Sequence, residues 1–254
     1  MLSKKVFASI LITTFAVFLT MGGSALAEEV ELDEAKVFIE WNTTDGDQGI
    51  QFFWDSEGFT EMMVSTADGS LVVDTSGNIL QQGLTETAIE SVEPEESEQT
   101  LEEFFLLFPE GTYNFLGTAT DGGTITGSAV FTHNLLEPVE FTKINLPVIE
   151  WTEPELNVGT DDPATLEVVG YELVVELVVE VEVNGDEENG DTVERVFKET
   201  TNYPAGFTKH IVGNRFMKLI KNPPGEIIEL KVEILVEEPS NNLTITEEAV
   251  IEED

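Results

Sequence analysis

Apolar and polar residues alternate over short stretches along most of this chain, and Gly- and Asp-rich turns separate the stretches. That pattern predicts short strands of a sandwich or barrel. In the first part it places strands at residues 36–43 and 49–55, joined by Asp45-Gly46-Asp47-Gln48-Gly49, and at 61–66 and 71–74 around an Asp68-Gly69 hairpin turn. Residues 90–99, rich in Glu, Pro and Ser, read as an exposed loop. Leu101, Phe104, Phe105 and Phe108 then recur at helical spacing, Thr100 and Glu103 have the form of a capping box, and Pro109 follows. A helix is therefore predicted over 100–108, with its aromatic stripe turned to the core. Strands 112–120 and 124–132 pair around Asp121-Gly122-Gly123.

A boundary is expected near Asn145, where Lys143-Ile144-Asn145-Leu146-Pro147 separates two strand-rich blocks, 28–143 and 147–254. Each block opens alike, with Ile39-Glu40-Trp41 and Ile149-Glu150-Trp151, so each is expected to bury a Trp early. The longest predicted strand, 171–183, sets Val179, Val181 and Val183 against Glu180 and Glu182, giving one buried and one acidic face. An acidic turn over 184–191 leads back through 192–200, and further strands are predicted at 215–220, 226–236 and 242–251. The expected fold is all-β: two antiparallel β-sandwich-like domains, with one short helix in the first.

The first residues add a destination. Lys4 and Lys5, an apolar run over 6–19 and small residues ending at Ala25-Leu26-Ala27 have the form of a secretory signal peptide, 1–27. The apolar run is shorter than the roughly 20 residues of a bilayer span. With no cysteine, there is neither a lipobox nor a disulfide framework, which fits a bacterial export held together by packing. A secreted, periplasmic or envelope location is expected, with no transmembrane segment after cleavage. Asn42-Thr43-Thr44 and Asn242-Leu243-Thr244 match the glycosylation sequon, which would carry no meaning in a bacterium.

Charge narrows the partners. The chain holds 51 Asp and Glu against 11 Lys and Arg, for a net charge of −40, and such a surface repels nucleic acid and anionic membranes. Extracellular proteins or polysaccharides remain as partners. The acidity reads first as a solvated surface suited to a saline habitat, and second as possible ion binding.

Four stretches of the second block resemble a fibronectin type III domain. Ile149-Glu150-Trp151-Thr152-Glu153-Pro154 is similar to that family's early strand with its core Trp and following Pro, and Tyr171-Glu172-Leu173-Val174-Val175 to its third strand. The run from Pro224-Gly225-Glu226 through Val232 resembles the Pro-Gly turn into the sixth strand, and Asn242-Leu243-Thr244 the closing strand. The family's corner tyrosine would fall at Ile228 and is absent. The first block has a similar turn, Pro109-Glu110-Gly111-Thr112-Tyr113, and keeps a tyrosine. The resemblance implies a spacer or binding module.

Chemistry is sparse. Cysteine nucleophiles are excluded, and the two histidines, His133 and His210, have no partner at ligand spacing and read as structural or surface residues. No catalytic or cofactor-binding residue is assigned. For calcium, Asp45 and Asp47 in one Gly-containing turn and Asp186, Glu188 and Asp191 in another supply hard oxygen ligands, without matching the EF-hand template. Three functions stay open. The first is a non-catalytic interaction or scaffold module. The second is a calcium-dependent carbohydrate binder using Phe52, Phe53, Trp54 and Phe59. The third is a glycoside hydrolase working with two carboxylates.

Overall fold

The computed structural model describes residues 29–77, 83–95, 97–155, 166–183 and 191–252, and it is all-β with two short helices among them. No helix among the described residues is long and apolar enough to cross a membrane.

The first half is organised by one bent strand. β2 (Glu34–Asn42) turns through Gly46, at φ +73°, into β3 (Asp47–Ser65), which runs through both of the strands predicted there. The pairing register shifts between Asp55 and Glu61, where Gly58 takes φ +142°, so β3 changes neighbours at this bend. Its first part lies between β2 and β5 (Leu84–Glu90); its second part lies between β4 (Leu71–Ser76) and β6 (Gly111–Ala119). β7 (Thr124–Phe131) continues from β6, and the short β1 (Glu29–Glu31) adds to it in parallel. Even-numbered residues of β3 point inward, so Ile50, Phe52, Trp54, Met62 and Val64 meet Val37 and Ile39 of β2, Phe115 of β6 and Phe131 of β7 in one apolar core.

The helix α1 (Leu101–Leu107) starts where the capping box predicts: Thr100 Oγ1 accepts from Glu103 N, and Glu103 reaches back to Thr100 N. Phe104 is buried. Tyr113 makes the expected corner, its hydroxyl donating to Pro109 O at 3.1 Å.

The second half faces two sheets across a separate apolar cluster. β8 (Phe141–Asn145), β9 (Val148–Trp151) and β12 (Lys209–Ile211) form the smaller sheet. Opposite lie β11 (Asp191–Pro204), β10 (Gly170–Val183), β13 (Glu226–Glu237) and β14 (Leu243–Glu252), in that order. Trp151 and Tyr171 meet edge to face between the sheets, at 5.8 Å. Two expectations change here. Residues 215–220, predicted as a strand, belong to the helix α2 (Asn214–Lys221): Phe216, Met217, Leu219 and Ile220 share one helical face, and that face packs on the cluster. In β10, upstream of the alternating residues, both faces are closed, since Val174, Glu176 and Val178 are buried as well as Leu173, Val175, Leu177 and Val179. A strand with a neighbour on each side and cover on both faces need not alternate.

The halves are joined by β14, which pairs in parallel with β2, Leu243 opposite Glu40 and Ile245 opposite Asn42. Asn242, 1% exposed, accepts from Ile39 N at 2.9 Å and donates to Thr132 O at 2.9 Å and Asn134 O at 2.8 Å. Thr244 Oγ1 adds a bond to Leu136 O at 2.7 Å. Asn242 therefore stands in its sequon as a buried joint, and its amide nitrogen is already engaged.

Candidate functional site

The residues singled out in the sequence go to different places. Asp45 sits in the β2–β3 turn, where it accepts from Asn42 Nδ2 at 3.0 Å. Asp47 opens β3, and its pKa is raised by lost hydration and by the charges of Asp45, Glu95 and Glu247. Asp186 and Glu188 lie outside the described residues, and Asp191 begins β11 opposite Val183. Of the aromatic candidates for a sugar platform, Phe52, Trp54 and Phe59 are buried in the core. Phe53 alone is on the outer face, where Lys36 Nζ lies 5.8 Å from its ring centre.

The histidines are built into the packing. His133 Nε2 donates to Phe108 O at 2.7 Å, and its ring stacks on Phe105 at 4.0 Å. His210, 4% exposed, is held between the Tyr203 hydroxyl at Nδ1, 2.7 Å away, and Glu199 Oε1 at Nε2, 3.2 Å away. Glu199 also accepts from Gly213 N at 2.8 Å, so this chain of groups ties the entry of α2 to β11. Of the two places open to it, structural or surface, His210 takes the structural one.

Among the described residues, one close group of carboxylates was not among the candidates. Glu40 on β2, Glu90 at the end of β5 and Glu93 just beyond it bring one oxygen each within 4.8 Å of one another. Gly49, opposite Glu40 in the register, makes room: a Cβ there would meet Glu93 Cγ at 3.0 Å. Glu90 is fixed from below by Gln51 Nε2. Lost hydration raises the pKa of Glu93 to about 7, aided by Glu90, Asp47 and Glu40. Glu40 is raised by burial, then by Glu90 and Asp47. Three oxygens about 2.4 Å from a shared centre can be no more than about 4.8 Å apart, so these residues could hold a calcium-sized cation. Without one they can share protons.

A second set of charges crosses the outer face of the other half. Lys198 of β11 pairs with Glu176 of β10 at 2.5 Å, and Lys231 of β13 pairs with Glu247 of β14 at 3.1 Å. Lys231 stands opposite Glu176 in the register, so the signs alternate strand by strand. Lys231 loses hydration, but bonding to Glu247 and the charges of Glu247, Glu176 and Glu233 hold its pKa up. Glu233 is pushed well above the usual carboxylate range by burial and by sharing with Glu247. At the junction, a cleft of about 670 Å³ opens between Lys36 and Phe38 of β2 and Glu172, Asn202, Glu237 and Leu243 of the second half.

No protein-family model matches the chain, and no curated protein does. Among solved structures, the chain is similar to a tetra-tandem repeat in the extending region of a large adhesion protein. The identity is 10% and the TM-score 0.21, over 86% of this chain and 50% of that one. A superposition so loose carries no argument, and this chain spans half the length of that structure.

Glu40, Glu90 and Glu93 were hidden by abundance, since acidic residues are everywhere in the sequence. The one local signal was Gly49, a glycine within a strand pattern, which often marks close approach of another group.

Proposed function

We propose that the protein is a non-catalytic, exported interaction or scaffold module made of two β sandwiches, the second of fibronectin type III type. The observation that carries this reading is the fate of the two histidines. Each is fixed by ring stacking or by hydrogen bonds inside the fold, which engage His133 Nε2 with the Phe108 carbonyl and both ring nitrogens of the buried His210 with Tyr203 and Glu199. Support for the sandwich type comes from the two facing sheets and the Trp151–Tyr171 pair between them. Fold alone does not select the partner. A panel of chromogenic glycosides and esters is expected to show no turnover with the folded protein; turnover that disappears in Glu93→Gln would overturn the reading.

A second reading, calcium binding in support of the module, is favoured by the Glu40–Glu90–Glu93 geometry. Calcium is then expected to raise the thermal midpoint in a saturable way beyond matched ionic strength, and Glu40→Gln is expected to abolish the rise.

A further inference from the structure

β11 ends the larger sheet: it pairs with β10 along one edge, and among the described residues no strand pairs with the other. The register with β10 sorts its side chains. Phe197, Glu199 and Tyr203 turn inward, toward the apolar cluster and His210. Thr192, Glu194, Val196, Lys198 and Thr200 share the outer face with Glu176 and Val178. Val196 is 52% exposed there, although it stands opposite the buried Val178. An extended edge of this kind is a template for another strand unless it is covered or blunted.

We infer that the occupant is a second copy of the same strand, paired antiparallel about a two-fold axis through Val196. The charges choose the register. Across β14, β13, β10 and β11 the outer face reads Glu247, Lys231, Glu176, Lys198, so the next strand must offer an acid opposite Lys198. Glu194 is the only acid in the outward row of β11 between Thr192 and Asn202. Setting Glu194 of one copy opposite Lys198 of the other fixes the axis at Val196 and forms the same pair twice, as an isologous contact requires. Val196 then meets its own mate, and the Val178–Val196 pairing continues across the joint. On the inner face Arg195 comes opposite Phe197, an arrangement suited to a cation over a ring. Lys198, whose side chain is 60% exposed, has room for a second carboxylate. The net charge of −40 opposes any self-association, so the pairing strengthens with salt as long-range repulsion is screened. The inference stands apart from the proposed function, because a hydrolase could dimerise equally well.

The test uses the absence of native cysteine. Directly opposed residues have Cα atoms about 4.5–5.5 Å apart, within disulfide range, whereas two copies of Thr200 would be separated by about 27 Å along the strands. Under mild oxidation Val196→Cys is expected to give a covalent dimer and Thr200→Cys to stay monomeric. Equal yields, or no dimer from Val196→Cys, would overturn the register. In sedimentation velocity at moderate salt, Glu194→Lys and Lys198→Glu are each expected to weaken self-association about tenfold or more. Mixed together, the two variants are expected to pair, since the exchange of charge at position 194 in one copy is matched by the reverse exchange at position 198 in the other. Circular dichroism confirms that each variant is folded before it is mixed. Failure of two folded variants to associate would overturn the proposal.

Discussion

The two halves of the molecule answer the same excess of negative charge differently. Lys36 is the sole Lys or Arg between residues 28 and 135, and eight others lie beyond. In the first half Glu40, Glu90, Glu93 and Asp47 therefore crowd without a cation, and the proton affinities of Glu40, Glu93 and Asp47 rise. In the second half the carboxylates of Glu176 and Glu247 are interleaved with Lys198 and Lys231 across four strands. The lesson is that an acidic surface is tolerated by solvent and by raised proton affinity in one place and by a few well-registered lysines in another. The second device works nearer the interior, where Glu176 is 9% exposed, because a buried carboxylate needs a partner and a solvated one does not.

Cutting the joint breaks the comparison most severely. Asn242→Ala leaves the Ile39 amide and the Thr132 and Asn134 carbonyls without their partner, at a cost of about 3 kcal/mol. Urea unfolding followed by Trp fluorescence is expected to separate into two transitions, one for each half. Next comes Lys231→Met, which leaves Glu176, Glu233 and Glu247 facing one another. About 2 kcal/mol should be lost, less than for a fully buried pair because both partners retain some solvent. Its test is the urea midpoint at neutral pH.

The opposite sign is expected in the first half. Glu93 binds its proton more tightly in the folded protein than in the unfolded chain, so its penalty is full above pH about 7 and absent below about 4.5. Glu93→Gln should therefore stabilise the protein at pH 8 by about 1 kcal/mol, a figure reduced for the exposure of its side chain. At pH 4.5 the variant and the parent should melt together. For the parent, the thermal midpoint should rise as pH falls from about 8 to about 5. The smallest effect belongs to the exposed Lys209–Glu150 pair at 2.6 Å: Lys209→Ala should leave the midpoint within experimental error.

Much of this architecture was legible because it depends on neighbours in sequence. The capping box at Thr100, the hairpins at Gly69 and Gly122 and the inward Trp151 came from local spacing, and the corner at Tyr113 from the likeness of its turn to that of the fibronectin type III family. What escaped depends on partners far along the chain. Glu40 and Glu90 meet only because β2 and β5 flank β3. The helix α2 has Gly213 at its N-cap and no capping side chain, so nothing marked its start, and its apolar residues passed for a strand. The aromatic run 52–54 looked equally available for a ligand and for a core until β3 showed which parity faces inward. Asn242 lies in the interior, and its sequon pattern gave no sign of that role.

The same joint has a consequence in time. Ile39 N donates to a residue 203 positions later, and the Thr132 and Asn134 carbonyls accept from that same residue, 110 and 108 positions further on. In a chain that emerges from its N-terminus, the first half can collapse around its core but must wait with its β2 edge bare until Asn242 and β14 arrive. A chain stopped before β14 would display the β2 edge to proteases, while one that includes β14 covers that edge.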